Sequence, residues 1–100
     1  IFFSGINGIG MSGLAKIMAT KGYEVYGSDI AIKPISEQLQ KLGVKIFIGQ
    51  NKENLEGINI DLFIYSSAIK ETNPEYEYIV KNNSPHHHNQ HGLRPAVYQY

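Results

Sequence analysis

Gly5-Ile6-Asn7-Gly8-Ile9-Gly10-Met11-Ser12-Gly13 follows an apolar opening, Ile1-Phe2-Phe3, and runs into the helix-patterned Leu14-Ala15-Lys16-Ile17-Met18. Glycine lets a chain turn sharply out of a strand and bring successive N–H groups close to a ligand, and the helix that follows presents unpaired donors at the same point. The stretch therefore reads as a phosphate-binding loop, the alternative being an ordinary glycine-rich turn. Two frames fit the fingerprint Gly-x-Gly-x-x-Gly. Gly8-x-Gly10-x-x-Gly13 is complete but starts late, whereas Gly5-x-Asn7-x-x-Gly10 starts directly after the strand. The second is preferred, because the first glycine makes the turn and an acid is expected at the end of the next strand, about 20 residues on. Asp29, in Tyr26-Gly27-Ser28-Asp29, fills that position. Asn7 at the middle position is rationalised by the tolerance of asparagine for left-handed backbone.

Outward from the loop, Met11, Leu14, Ala15 and Met18 recur at helical spacing, Ile17 widens the apolar face, and Gly22 suits a C-cap. Tyr23-Glu24-Val25-Tyr26 reads as a second strand ending at Ser28-Asp29. Pro34 opens a helix carrying Ile35, Leu39 and Leu42, and Val44–Ile48 is a third strand. A short helical turn is expected around Lys52–Leu55. The apolar run Ile60–Tyr65 suits a central parallel strand buried on both faces. After Ser66-Ser67-Ala68-Ile69, Asn73-Pro74-Glu75 reads as a helix start, with Tyr76, Ile79 and Val80 facing inward. Met11, Met18 and the tyrosines are expected to pack, and Lys70-Glu71 to form a solvated pair.

The alternation of strand and helix predicts an α/β fold, a Rossmann-like doubly wound parallel sheet of four strands with a fifth in doubt. Ligands of such sheets sit beyond the carboxyl ends of the strands, where strand order reverses. The glycine loop, Ser28-Asp29 and Ser66-Ser67 are the polar clusters at those ends.

The 100 residues carry nine basic and nine acidic side chains, with no basic stripe, so neither nucleic acid nor an anionic membrane is an expected partner. Cysteine is absent, which excludes a disulfide framework and thiolate metal sites. No apolar run approaches the roughly 18 residues of a membrane span, and the cytoplasm is the expected compartment. The chain opens inside a strand without Met, and a fragment is expected.

Read in order, Gly5–Ala15, Gly22-Tyr23-Glu24-Val25, Gly27-Ser28-Asp29, Leu42-Gly43, Ser66-Ser67-Ala68-Ile69 and Asn73-Pro74-Glu75 resemble the amino-terminal domain of the Mur ligases. The resemblance is nearest to the branch that joins UDP-N-acetylmuramate to L-alanine, and it covers residues 1–83. It implies an ATP-dependent, amide-forming enzyme of peptidoglycan synthesis in which this domain binds the UDP part of UDP-N-acetylmuramate. Carried over by residue, Gly5, Asn7, Gly8, Ile9, Gly10, Met11 and Ser12 would line the diphosphate. Ser28, Asp29, Ser66, Ser67 and Ala68 would bound the nucleotide end. ATP and Mg2+ would serve the central domain of the parent enzyme through a Gly-Lys-Ser/Thr phosphate loop, which this sequence lacks. With the central and carboxy-terminal domains absent, the chain is expected to bind without catalysing, and no residue is assigned a catalytic role or a bound cofactor.

Phe2, Ser4 and Gln50 depart from the family, which usually has His or Tyr, an aliphatic residue and His there. Ser4 in a buried strand needs a partner for its hydroxyl. Residues 84–100 are expected to form an irregular tail foreign to the family, as a frame change, a truncation or an error would give. Within it, His86-His87-His88-x-x-His91 suggests a metal site, but no carboxylate is interleaved and Pro85 and Gly92 bracket the run, so adventitious binding is the reading and no native metal site is assigned. NAD is the rival ligand, since Asp29 stands where a ribose-binding acid would. A remnant that binds nothing is the third reading.

Overall fold

A computed structural model describes residues 1–82 and 95–100. Five strands alternate with helices: β1 (Phe2–Ser4), α1 (Ile9–Thr20), β2 (Tyr26–Asp29), α2 (Pro34–Lys41), β3 (Lys45–Ile48), a 3-10 turn (Lys52–Asn54), β4 (Leu62–Tyr65), α3 (Pro74–Asn82) and β5 (Ala96–Gln99). The strands form one open parallel sheet in the order β3-β2-β1-β4-β5. Strand order reverses between β1 and β4, the point beyond whose carboxyl ends ligands of such sheets sit.

Alternation of side chains along the strands builds two cores. Phe3, Ile64 and Val25 meet Met11, Ala15 and Leu39 on the face covered by α1 and α2. Phe2 and Phe63 meet Leu55 and Ile79 on the opposite face. There Phe2 stacks between Phe47 and Phe63, at centroid distances of 6.3 and 5.8 Å. Such offset stacks add to the burial that holds neighbouring strands in register. Met11 and Met18 pack as expected.

The fifth strand, in doubt from the sequence, is present, and it corrects the expectation of an irregular tail for Ala96–Gln99. Phe63 pairs with Val97 in parallel register, and the backbone amides of Ala96 and Tyr100 donate to the carbonyls of Asp61 and Tyr65, both at 2.9 Å. Val97 packs against the Phe2–Phe63 core. That single inward apolar side chain, with Pro95 placed at the strand's start where its missing N–H costs nothing, suffices to add an edge strand. The histidine run lies outside the described residues.

Other differences are local. Ile17, Leu42 and Val80 are largely exposed, so each helix buries a narrower stripe than its apolar residues suggest. The second strand begins at Tyr26 and not at Tyr23, because the amide of Tyr23 donates to the Met18 carbonyl and closes α1 around Gly22, whose φ is +93°. At the start of α3, Asn73 caps as expected: its Oδ1 accepts from the amides of Glu75 (2.9 Å) and Tyr76 (3.3 Å). Asn73→Ala is expected to cost about 1 kcal/mol, read as a lower urea midpoint with an unchanged slope.

Candidate functional site

The crest of the sheet is built around the turn at Gly5, whose φ of +85° only glycine adopts freely. Its amide and that of Ile6 both donate to the Ser28 carbonyl, at 2.9 and 3.0 Å, lashing the loop to the end of β2. A side chain at Gly5 would press within 3.2 Å of Ser66 Cβ, so this is also where the loops after β1 and β4 touch. Gly8 is the N-cap of α1, and its carbonyl accepts from the Ser12 amide at 2.7 Å. The amides of Ile9, Gly10 and Met11, in the first turn, have no hydrogen-bond partner among the described residues. These donors, at the positive end of a twelve-residue helix, lie where strand order reverses. Ile9 extends its side chain into solvent beside them, 96% exposed.

Asn7 does not need left-handed backbone: among the described residues no residue other than glycine has a positive φ. It is there for its amide groups. Its backbone N–H donates to Asp29 Oδ2 at 2.8 Å, its Nδ2 donates to the Ala31 carbonyl at 2.8 Å, and its Oδ1 accepts from the Ser36 hydroxyl of α2. Asp29 Oδ1 accepts from the Ile30 amide at 2.8 Å. Both oxygens of Asp29 thus brace the loop and the turn after β2, each keeping a second lone pair.

Several sequence-derived site residues face inward. The Met11 side chain belongs to the core under α1, leaving only its amide at the crest. Ser12 donates its hydroxyl to the Ile9 carbonyl, and Ser28 sends its own into the interior. In the turn after β4, Ser66 Oγ accepts from the Ala68 amide at 3.1 Å, while Ser67 and Ala68 are exposed. Tyr100, just past β5, lies against Gly10: a Cβ there would fall 2.1 Å from the ring.

Beneath the crest lies a polar node absent from the sequence reading. Glu75 is fully buried. Its Oε1 accepts from the hydroxyls of Ser4 and Ser28, each at 2.6 Å, and its Oε2 accepts from Asn54 Nδ2 at 2.7 Å. Gln50 donates to Ser4 Oγ (3.2 Å) and accepts from Asn73 Nδ2 (2.9 Å), which extends the network to the cap of α3. Burial pushes the Glu75 carboxyl above the ordinary glutamate range, and the bonds from Ser28, Ser4 and Asn54 pull it back part of the way. Part of the signal was present in the sequence: Ser4, at the end of a buried strand, required a partner for its hydroxyl.

Comparison with known proteins fits this geometry. The profile described as "Mur ligase family, catalytic domain" matches residues 1–97. The chain belongs to the Mur ligase family. Among curated relatives, the UDP-N-acetylmuramate–L-alanine ligase of Jannaschia sp. (strain CCS1) is 52% identical over 77 residues, which is 77% of this chain and 16% of that protein. The same-named ligase of Fusobacterium nucleatum is 52% identical over 83 residues, 83% of this chain and 17% of its own length. This Mur ligase chain therefore spans about a sixth of those relatives. Among solved structures, the UDP-N-acetylmuramate–alanine ligase of Thermotoga maritima superposes with a TM-score of 0.78 at 30% identity, covering 98% of this chain and 20% of that one. A murein peptide ligase of Psychrobacter arcticus gives 0.75 at 33% identity, covering 81% of this chain and 17% of that one. Among the described residues, no helix of this Mur ligase chain is long and apolar enough to cross a membrane.

Proposed function

We propose that this chain is the amino-terminal, UDP-binding part of a UDP-N-acetylmuramate–L-alanine ligase of peptidoglycan synthesis. The observation that carries the reading is the set of unengaged amides of Ile9, Gly10 and Met11 at the reversal point of the sheet, in a chain about half identical to ligases of that name. Such amides suit diphosphate oxygens, because a bond to a charged acceptor is about twice as strong as a neutral one. The helix dipole adds only about 0.3–1 kcal/mol. The turn Ser66-Ser67-Ala68 and Asp29, at the carboxyl ends of β4 and β2, would bound the uridine end. The sequence has no Gly-Lys-Ser/Thr triplet, so on this reading ATP and Mg2+ are handled elsewhere in the parent enzyme, and the chain alone binds without turning over. Residues 1–83 are the proposed binding domain, and the cytoplasm is the compartment the reading implies.

Calorimetric titration of the 100-residue chain with UDP-N-acetylmuramate, and in parallel with NADH, tests the proposal. Saturable binding of the UDP-sugar alone is expected; preference for NADH would overturn it. Gly8→Ala provides the companion test. Gly8 has φ −58° and ψ 147°, open to any residue, and an added Cβ meets nothing nearer than 3.5 Å. The variant is expected to lose no more than about 1 kcal/mol of stability, the ordinary cost of alanine at an N-cap, while losing affinity, since the methyl group crowds the approach to the amides. Unchanged affinity would remove the loop from the binding site.

A further inference from the structure

We infer that Glu75 is the positioning residue of the nucleoside-diphosphate loop, acting through Ser28 and never touching the ligand. The inference rests on the binding reading given above. Its basis is a continuous chain of bonds. Glu75 Oε1 holds the Ser28 hydroxyl at 2.6 Å, and the carbonyl of the same serine holds the amides of Gly5 and Ile6. The next residue, Asp29, holds the amide of Asn7. Three consecutive loop amides are thereby hung from two residues whose place is set by one carboxylate.

The same carboxylate fixes the surroundings of that loop. Through Ser4 it holds the last residue of β1, and through Asn54, whose Nδ2 also donates to the Gly49 carbonyl at 2.8 Å, it holds the turn after β3. Packing alone does not call for such a group, since an apolar side chain of similar volume would fill the space without burying a carboxylate, provided no donors faced it. A carboxylate does what an apolar group cannot: it gathers donors from separate elements at fixed lengths and angles. Here the donors come from the carboxyl ends of β1 and β2, and from the segment after β3, all on the crest where the ligand would lie.

The test measures affinity for UDP-N-acetylmuramate by calorimetry, and amide exchange of Gly5 and Ile6 by NMR, in the intact 100-residue chain. The variants are Glu75→Gln, Ser28→Ala, their double, and Val44→Ala, which loosens the core at the amino end of β3, opposite the crest. Glu75→Gln and Ser28→Ala are each expected to weaken binding roughly tenfold, with the double no weaker than Glu75→Gln, as coupled residues require. Gly5 and Ile6 should exchange faster in both, while Lys45, whose amide bonds the Val25 carbonyl, keeps its protection. Val44→Ala should bind like the parent. Equal affinity in all variants, additive losses, or an equal loss in Val44→Ala would overturn the inference. Should Glu75→Gln fail to fold, Ser28→Ala decides the matter by the same two readouts. Absence of binding in the parent chain would sink the functional reading instead, and the exchange rates of Gly5 and Ile6 would still decide the positioning role.

Discussion

Gly27→Ala is expected to destabilise the domain by about 1–3 kcal/mol, more than its single methyl group suggests, and to disturb the glycine loop with it. Gly27 lies in the middle of β2, where its backbone angles are open to any residue; the reason for glycine is space. A Cβ at this position would fall 2.4 Å from Ile6 Cδ1 and 2.9 Å from Ile6 Cβ. The δ-methyl can swing away, but the Cβ moves only with the backbone. That backbone is fixed on one side by the Ile6 amide bonded to Ser28 and on the other by the Asn7 amide bonded to Asp29. The methyl group therefore either strains β2 or lifts the loop from it. Urea denaturation should give the loss, and Ile6→Ala, which keeps the Cβ but removes the Cγ1 and Cδ1 that would lie 3.1 and 2.4 Å from the new methyl, should relieve part of it. The double variant is then less destabilised than the sum of the singles by about 1 kcal/mol, even though Ile6→Ala alone forfeits buried surface. An unchanged urea midpoint in Gly27→Ala would show that β2 yields without cost and that Gly27 is not a spacing residue.

The sequence marks the loop far better than it marks what the loop rests on, and the contrast has a physical cause. Gly5 was legible because a strand that must turn into a helix within a few residues needs positive φ, a constraint local to the chain. Asn73-Pro74 was legible for the same reason, since a cap and a first-turn proline act on their own neighbours. The role of Gly27 depends on Ile6, 21 positions away, and that of Glu75 on Ser4 and Ser28, separated from it by 71 and 47 positions. No periodicity records such pairings. In the linear reading Glu75 is an acid in the first turn of a helix, a position normally explained by the dipole and by solvent; the fold turns it inward. β5 was obscured in another way. Its one inward side chain, Val97, carries too little pattern to stand out after a histidine run, and only the waiting edge of β4 gives it a partner.

The pH dependence of stability should expose Glu75 directly. Burial raises its carboxyl above the ordinary value, so the unfolded chain gives up this proton at lower pH than the folded one. Between the unfolded value, about 4.3, and the raised folded value, the folded state holds more protons, and stability falls as pH rises. The contribution is complete below that window and lost above it, the reverse of a salt-bridged carboxylate. The network also indicates which oxygen takes the proton. Asn54 Nδ2, on Oε2, can only donate, whereas the hydroxyls of Ser4 and Ser28 on Oε1 can turn. Ser28 can reverse to accept a proton from Oε1; Ser4, which already accepts from Gln50, is less free to do so. Urea midpoints of the parent chain and of Glu75→Gln, measured across a series from acid to neutral pH, should therefore converge or cross as pH rises, the parent losing ground through the window. A difference that stays constant with pH would mean that Glu75 does not titrate there. Glu75→Leu removes the acceptor altogether and strands the donors of Ser4, Ser28 and Asn54. At about 1–3 kcal/mol for each buried donor left unpaired, the loss is comparable with the whole stability of a small domain, and this variant is expected to be unfolded at every pH of the series.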